Sequence, residues 1–436
     1  MGNKDVSENR RPYHYAELDL LHAAELLHQV KADSARLDLV HELQRHLIRC
    51  IVRTELRVLR LRRRRKSLPQ KDDQRATKEQ AQARKAGLRA LREREEQLLH
   101  LLFLWRCFGD GIAFIYQSKY SLKHTYYDAT YNVKAPAGFI TEHGRLKRGF
   151  AREYRILCSG IKHNVPVVLC DLTNVIRYGD VCALGAEDPC LIEVKTSRNR
   201  NARTDRQAKL LQELTNFYVN DGASNFRGIT NVLRVATMAE EVDHRSVLNA
   251  CIEAGMRTGW NTATPEPGLT YLVCSVMDEA RFKQHGTTPS TVVYFLSAQP
   301  DYLPSYPFTL SMEPANSVAF MQQAFGLVVF IDMKNVKASF ARCGVEATVI
   351  MDGTHSVQIT KTPHNLIMGV QRISEQMLGR VATEFLSIES FADEMSQMLD
   401  VELGPPMTLD EALALPGVAT EVPREWNEVV DFWERK

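Results

Sequence analysis

Two apolar segments that carry charges flank a short turn, and this pattern limits the fold more than any other feature of the sequence. Residues 175–184 read VIRYGDVCAL and residues 190–197 read CLIEVKTS, with GAEDP between them. β-Branched and apolar residues favour strands, whereas Gly, Asp and Pro favour turns, so the pattern predicts a β-hairpin. With the turn centred in GAEDP, Asp180 lies opposite Glu193, and Lys195 shares their face of the hairpin. A register shift of one residue would separate them.

Charges on apolar strands are costly to bury unless they are paired or bind a metal ion. Asp180 and Glu193 could together bind a hard divalent cation through oxygen, and the main-chain carbonyl of Val194 could add a ligand. Lys195 could donate to a phosphate oxygen, or orient a water molecule and help to deprotonate it. Such a set of groups suits phosphodiester hydrolysis. The alternative is a structural ion pair, but buried ion pairs are weak stabilisers.

The elements predicted around this hairpin follow the order helix, three strands, helix, strand. They are, in chain order, a helix at 143–160, strands at 165–170, 174–184 and 190–196, a helix at 203–219 and a strand at 228–237. Asp180, twelve intervening residues and then Glu193-Val194-Lys195 resemble the signature of the PD-(D/E)XK nuclease superfamily, whose core has this α-β-β-β-α-β order. The resemblance implies a restriction-endonuclease-like fold in which Asp180 and Glu193 bind Mg²⁺ or Mn²⁺ and Lys195 activates the water. Gly179 stands where the family has its naming proline.

The resemblance implies two further site residues on the helices around the hairpin. Many members have an acidic residue on the helix before the strands, and Glu153 fits that place, with Glu142 as the alternative. Many also have a glutamine on the helix after the lysine, which is Gln207 here, with Gln212 as the alternative. One subgroup has tyrosine four residues after that glutamine; leucine occupies the position here, so that subgroup is not assigned.

Two basic segments are candidates for contact with nucleic acid. The first follows the lysine directly, and its arginines are predicted to contact the phosphates that flank the cut: Arg198, Arg200, Arg203 and Arg206. The second ends a predicted helix and consists of Arg62, Arg63, Arg64, Arg65 and Lys66. It could bind the phosphate backbone, complement the dipole at the end of its helix, or dock onto the acidic C-terminal region. That region has 13 acidic residues against 3 basic ones from Glu384 onward.

The remaining sequence predicts helices in the N-terminal part of the chain and a mixture of strands and helices in the C-terminal part. Apolar residues recur every three or four positions over 13–66 and 74–107, which predicts two long helices in an antiparallel hairpin. The tyrosine-rich segment 111–140 suits strands and turns. The later strands are predicted at LTYLVCSV, STVVYFLS, GLVVFIDM and EATVIMD, followed by a long helix at NLIMGVQRISEQMLGRVATEFL. We therefore expect a helical domain at 1–110, a nuclease core at 111–300 and a C-terminal α+β region with an acidic tail at 301–436.

Other polar clusters are less informative. Asp352, His355 and His364 could form a second metal site, but their spacing favours a polar turn. The nine cysteines include no CxxC pair, which argues against a structural zinc site and suggests buried thiols in a reducing compartment. The tyrosines between 116 and 131 could stack on bases, although in strands such residues are usually structural.

The sequence thus predicts an α/β protein that acts as a Mg²⁺-dependent (or Mn²⁺-dependent) nuclease. DNA is favoured over RNA as the substrate, and a non-catalytic nucleic-acid-binding or scaffold protein with a degenerate nuclease fold is the alternative from another class. The start of the chain lacks an apolar signal segment, and no apolar run long enough to span a membrane was expected, so a cytoplasmic location is predicted. The N-terminal helices suggest a homo-oligomer or a partner protein. By analogy of fold, bacterial restriction and antiphage effectors have this combination of parts.

Overall fold

The computed structural model describes most of the chain, which divides into two compact units. The described residues are 12–67, 77–126, 136–194, 202–235, 239–286, 288, 290–300, 306–363 and 370–400. The first unit comprises residues 1–231 and 298–323, and the second comprises residues 232–297 and 324–436. Both helices and antiparallel sheets are present, so the predicted mixed α/β class is confirmed.

The regular elements are as follows. The helices are α1 (Glu17–Ala32), α2 (Leu37–Ser67), α3 (Lys78–Tyr116), α4 (Lys119–Tyr126), α5 (Phe150–Lys162), α6 (Ala202–Asn220), α7 (Arg245–Thr258), α8 (Glu279–Gly286), α9 (Phe308–Ser311), α10 (Pro314–Met321), α11 (Met333–Arg342), α12 (Glu375–Thr383) and α13 (Ile388–Gln397). The strands are β1 (Val167–Leu169), β2 (Val181–Ala183), β3 (Cys190–Ile192), β4 (Gly222–Phe226), β5 (Ile229–Leu233), β6 (Trp260–Glu266), β7 (Leu269–Cys274), β8 (Thr291–Leu296), β9 (Gly326–Asp332), β10 (Glu346–Val349), β11 (His355–Thr360) and β12 (Val370–Ser374). Short 3₁₀ helices lie at His14–Ala16, Cys170–Leu172 and Met398–Asp400.

The long helices α2 and α3 form the predicted antiparallel hairpin. Arg62 on α2 pairs with Glu95 on α3, whereas Glu55, earlier on α2, lies beside Arg106, later on α3. The first predicted helix is divided into α1 and α2, because the Asp33 carboxylate accepts the N–H of Ala35 and forms a turn between them. Sequence periodicity continues through this break, so it was not predicted.

Helix α3 extends beyond the predicted boundary at residue 110. Its C-terminal half is buried, and Gly109 allows it to approach the 3₁₀ helix after β1 so closely that a Cβ would overlap the carbonyl of Leu172. Segment 111–140 was predicted to form strands and turns; its described part instead continues α3 to Tyr116 and forms α4. The aromatic side chains pack on helices here: Tyr126 is buried, and the hydroxyl of Tyr116 donates to the carbonyl of Ser34. The predicted helical domain therefore shares its core with the strands that follow it.

One helix meets the length and composition that a membrane span requires, contrary to the expectation from sequence. It is α3, which contains an 18-residue apolar window with a mean hydropathy of 1.5. In the structure, 83% of that window is buried inside the protein. A buried core helix passes the same test, so this feature is weak support for membrane insertion.

The predicted hairpin, β2 and β3, forms two strands of a three-stranded antiparallel sheet with the order β1-β2-β3. Val181 lies opposite Ile192, and Ala183 opposite Cys190, which confirms the predicted register. The strands are shorter than predicted, because residues 173–177 form a loop and Gly179 adopts a positive φ of 75° just before β2. α5 begins at Phe150 rather than at 143, since a turn around Gly144 occupies the preceding residues. β4 was not predicted; it and β5 form a separate two-stranded sheet.

The second unit contains a four-stranded antiparallel sheet and a three-stranded one. Their orders are β6-β7-β9-β8 and β10-β11-β12. The four strands predicted in this region are present as β7, β8, β9 and β10, while β6 and β11 were missed. The guanidinium of Arg380, which is buried, pairs with three carboxylates in this unit: Glu241, Glu384 and Glu394.

The long C-terminal helix predicted at residues 365–386 is wrong at residues 370–374, and its first five residues, 365–369, lie outside the described residues. Residues 370–374 form β12, and the helix α12 starts only at Glu375. The hydroxyl of Ser374 accepts the N–H of Met377, which caps the start of α12. Val370 and Ile373 are β-branched and pair with β11, so strand packing overrides the apparent helical period.

Helix α3 also anchors the loop that leads from β1 to β2. The Asp110 carboxylate is fully buried and accepts hydrogen bonds from the main-chain N–H groups of Asn174 and Val175 and from the Asn174 side chain. The side chain of Arg106 donates to the carbonyl of Asp171. Burial raises the pKa of Asp110 to about 6, partly offset by these donors. This network fixes the loop between two of the carboxylates described below.

We predict that Asp110→Ala destabilises the first unit by about 3 kcal/mol, because it leaves buried donors without an acceptor. Thermal and urea unfolding of the purified protein measure the change. Glu96→Ala is the matched control, since Glu96 is exposed on the same helix, and it should change stability by no more than about 0.5 kcal/mol. Equal effects of the two substitutions would contradict the anchoring role of Asp110.

Candidate active site

A cavity of about 670 Å³ opens in the first unit, between α5, the β1–β2 loop and α6. Its lining contains four carboxylates and several cationic and polar groups. These are Lys147, Glu153, Asp171, Arg177, Asp180, Glu193, Arg206 and Gln207. The cavity therefore brings together residues that are far apart in the sequence, among them all four described residues that were predicted to be catalytic.

The hairpin places Asp180 and Glu193 side by side. Asp180 directly precedes the pair Val181–Ile192, and its N–H donates to the carbonyl of Ile192. One oxygen of its carboxylate accepts the N–H of Val194 at 2.7 Å, which fixes the orientation of the side chain. Because both residues continue the register at the same end of the hairpin, their side chains share one face.

Gly179 allows this arrangement through its backbone. Its φ of 75° lies in a region that favours glycine, and a Cβ there would lie only 3.1 Å from the carbonyl oxygen of Ile192. Proline, which the family motif has at this position, cannot adopt that φ. The departure from the motif therefore has a local physical reason.

The helices on either side contribute the residues predicted from the resemblance. Glu153 on α5 and Gln207 on α6 both line the cavity, as does Arg206. The alternatives lie elsewhere: Glu142 lines a different cavity, and the side chain of Gln212 donates to Asn216 on the exposed side of α6. The structure therefore distinguishes between the paired candidates by position.

Asp171 and Lys147 also line the cavity and were not identified from the sequence. Asp171 lies in the 3₁₀ helix directly after β1, and its carboxylate accepts the N–H of Ala137. The Lys147 ammonium lies 4.0 Å from the Asp171 carboxylate and donates to the carbonyl of Ala137. The sequence did contain a signal for Asp171. It is a carboxylate directly after an apolar strand, and that strand neighbours the hairpin that holds the acidic motif.

Burial and neighbouring carboxylates raise the pKa of Glu153 and of Asp180. Burial and then the nearby charges of Asp180 and Asp171 raise the pKa of Glu153 to about 7, with Lys147 opposing them and Glu193 adding to them. Burial also raises the pKa of Asp180; the N–H of Val194 opposes the rise, and Asp171 reinforces it. A concentration of like charges of this kind is relieved by protonation or by a cation.

The cavity offers an all-oxygen donor set to a hard cation. Asp180 and Glu193 both line the cavity, and Val194, whose main-chain carbonyl could add a ligand, directly follows Glu193. Among the described residues, three ligand atoms come within 4.8 Å of one another only at Asp19, His46 and Cys50. The oxygens of the four carboxylates in the cavity thus lie farther apart than the ligand atoms of a closed coordination shell.

The Asp19, His46 and Cys50 group is explained by packing. His46 Nε2 forms hydrogen bonds with the carbonyl of Asp19 at 2.9 Å and with the sulfur of Cys50 at 3.6 Å. Burial raises the pKa of Cys50 to about 12, whereas metal ligation requires the thiolate. The group is therefore a hydrogen-bonded part of the helical core.

Several predicted site residues lie outside the described residues. They are Lys195, Arg198 and Arg200, and for Arg203 the backbone alone is described, as the first turn of α6. Their predicted roles remain predictions. Of the arginines after the hairpin, Arg206 is described, and it lines the cavity with an exposed side chain.

The basic end of α2 is partly paired within the protein. Glu95 accepts hydrogen bonds from Arg62 at 2.7 Å and from Arg65 at 2.5 Å, so these two arginines hold α2 to α3. Arg63 donates to the carbonyl of Glu142, while Arg64 and Lys66 are exposed. The predicted contact with nucleic acid therefore rests on fewer unpaired charges than the sequence suggested.

The polar cluster around Asp352 and His355 forms a turn, as the sequence favoured. The Asp352 carboxylate accepts the N–H groups of Thr354 and His355 before β11, and these bonds lower the pKa of Asp352 to about 2. His364 lies outside the described residues. All nine cysteines are free.

We predict that Glu153→Gln stabilises the protein at pH 8 by about 1 kcal/mol, after allowance for solvent screening of this half-buried group. Because the folded pKa of Glu153 is raised from 4.5 to about 7, its ionisation opposes folding increasingly between these pH values. The difference from wild type should vanish near pH 4. Thermal melting in EDTA at both pH values measures it, and Glu142→Gln, which alters an exposed carboxylate, is the control. A difference independent of pH would contradict the assignment.

Neither a known protein family, nor a curated protein, nor a solved structure matches this chain significantly. Any functional conclusion therefore depends on the residues and geometry of the cavity.

Proposed function

We propose that this protein is a divalent-metal-dependent nuclease that hydrolyses phosphodiester bonds in DNA, with a restriction-endonuclease-like core. The observation that carries the proposal is the register of the hairpin. It sets Asp180 beside Glu193 at a cavity that Glu153 and Gln207 also line. The order α5, β1, β2, β3, α6 supports the proposal as well, whereas the strands after α6, β4 and β5, form a sheet of their own.

The residues fit Mg²⁺ or Mn²⁺. All the acidic groups of the cavity offer oxygen, which these cations prefer, and their mutual repulsion favours a bound positive charge. Asp180, Glu193 and the carbonyl of Val194 would hold the ion. When bound, it would act as a Lewis acid towards the phosphate and make water a stronger nucleophile.

The chain's own groups have separate tasks in the proposed hydrolysis. The water oxygen bonds to phosphorus, the bond from phosphorus to one sugar oxygen breaks, and that oxygen takes up a proton. Lys195 orients the water or helps to deprotonate it. Asp180 stays aligned because the N–H of Val194 holds one of its oxygens. Arg206, exposed at the cavity, would contact a neighbouring phosphate of the strand.

Cleavage assays with plasmid DNA, linear DNA and structured RNA, each with Mg²⁺, Mn²⁺ or EDTA, test the proposal. We predict metal-dependent cleavage of DNA that Asp180→Asn, Glu193→Gln and Lys195→Ala each reduce at least about a hundredfold. Glu187→Gln is the matched control, because this residue is exposed in the turn of the same hairpin. It should cut at the wild-type rate.

Cleavage of RNA alone would change the substrate and leave the site assignment intact. A variant at Asp180 or Glu193 that cuts as fast as wild type would contradict the site. If no substrate is cut, calorimetry with Mn²⁺ on wild type and Asp180→Asn distinguishes a metal site without catalysis from the absence of a metal site. Binding that the variant loses indicates a metal site without catalysis, and no binding rejects the metal site.

A further inference from the structure

A second cavity, of about 1110 Å³, lies in the first unit between α2, α3 and the segment 136–143. It is distinct from the carboxylate cavity, although Ala137 and Gly138 line both. Nothing in the proposed hydrolysis uses it. Its volume slightly exceeds the roughly 300–1,000 Å³ typical of pockets that bind small organic ligands.

One wall of this second cavity is cationic and is held in place by the fold. Arg62, Arg63 and Lys66 line it from α2. The pairing of Arg62 with Glu95 at 2.7 Å and the hydrogen bond from Arg63 to the Glu142 carbonyl at 2.9 Å restrict these side chains. Restricting cationic side chains before binding lowers the entropy cost of holding an anion.

The floor carries a further buried cation. Arg106 is 6% exposed, and its guanidinium lies 3.8 Å from the Glu55 carboxylate. Glu55 also accepts the N–H groups of Phe139 and Ile140, so its charge is shared among several donors. Together with the wall on α2, positive groups outnumber the carboxylates that line this cavity.

Another part of the lining forms an apolar and partly aromatic wall. It includes Leu99, Leu102 and Phe103 from α3, and Tyr126 at the end of α4. Aromatic and aliphatic side chains of this kind accept the flat face of a heterocyclic base. A ligand that fits both walls has a phosphate at one end and a base at the other.

We propose that the second cavity binds a nucleoside phosphate, with its phosphate at Arg62, Arg63 and Lys66 and its base against Phe103. The nucleotide has two possible sources, a free mononucleotide or one unit of a nucleic-acid strand that continues into the carboxylate cavity. Binding itself does not depend on the proposed hydrolysis. The strand source rests on the proposed function.

Ala137 and Gly138, which line both cavities, connect such a ligand with the carboxylates of the first cavity. The N–H of Ala137 donates to Asp171, and the N–H groups of Phe139 and Ile140 donate to Glu55. Gly138 between them has no side chain, and a Cβ there would overlap the Glu55 carboxylate. A ligand that contacts the Glu55–Arg106 pair would therefore act on the segment that Asp171 also holds.

Binding measurements on the full chain in EDTA, where no cleavage occurs, test this site. The probes are fluorescent mant-ATP and a short fluorescent single-stranded oligothymidylate. We predict that Arg63→Ala/Lys66→Ala weakens binding of at least one probe about tenfold, from the loss of two phosphate contacts. The matched control is Arg49→Ala/Arg60→Ala, which removes the same charge from exposed positions of the same helix outside the cavity. It should retain binding to within about twofold.

A third variant tests the apolar wall. Leu99 lines the cavity and is 41% exposed, so Leu99→Glu should preserve the fold while opposing both base and phosphate. Selective loss of mant-ATP binding in the two cavity variants indicates a free nucleotide, and selective loss of oligothymidylate binding indicates a strand. Absence of binding to either probe, or equal loss in the matched control, would overturn the proposal. Neither result depends on whether the protein cuts nucleic acid.

Discussion

The carboxylate cavity depends on a buried polar contact between helix α3 and the loop that joins β1 to β2. The Asp110 carboxylate is fully buried and accepts the N–H groups of Asn174 and Val175, and a buried polar group is costly to leave unpaired. Since Asp171 precedes this loop and Asp180 follows it, their separation is set by a helix that carries neither of them. The site is therefore supported by the long helical hairpin, which is part of the same compact unit.

The second constraint is the close approach of β2 and β3, which brings like charges together. Gly179 adopts a backbone conformation that favours glycine, and the next residue, Asp180, then continues the register with β3. Burial raises the pKa of Glu153, on the helix α5 before this sheet, and the nearby charges of Asp180 and Asp171 raise it further. This charge repulsion lowers the stability of the folded protein and brings no evident structural benefit. Charge clusters of this kind are often functional sites.

Local chemistry made the hairpin predictable. Strong turn residues and strand formers fixed the register from the sequence, so the pairing of Val181 with Ile192 and of Ala183 with Cys190 was predicted correctly. Contacts over longer distances were not accessible in this way. The continuation of α3 to Tyr116, the anchoring by Asp110 and the position of Asp171 all depend on packing between elements far apart in the chain. Periodicity also misread residues 370–374, where pairing with β11 outweighs helical spacing.

The most direct test of the account is a crystal structure of the protein soaked in Mn²⁺, with anomalous scattering used to locate the ion. We predict an anomalous peak in the carboxylate cavity, with Asp180, Glu193 and the carbonyl of Val194 among its ligands. A crystal of Asp180→Asn treated in the same way should lack the peak. Mn²⁺ bound at Asp19, His46 and Cys50 instead, or a carboxylate cavity that remains empty at saturating Mn²⁺, would contradict the proposed metal site.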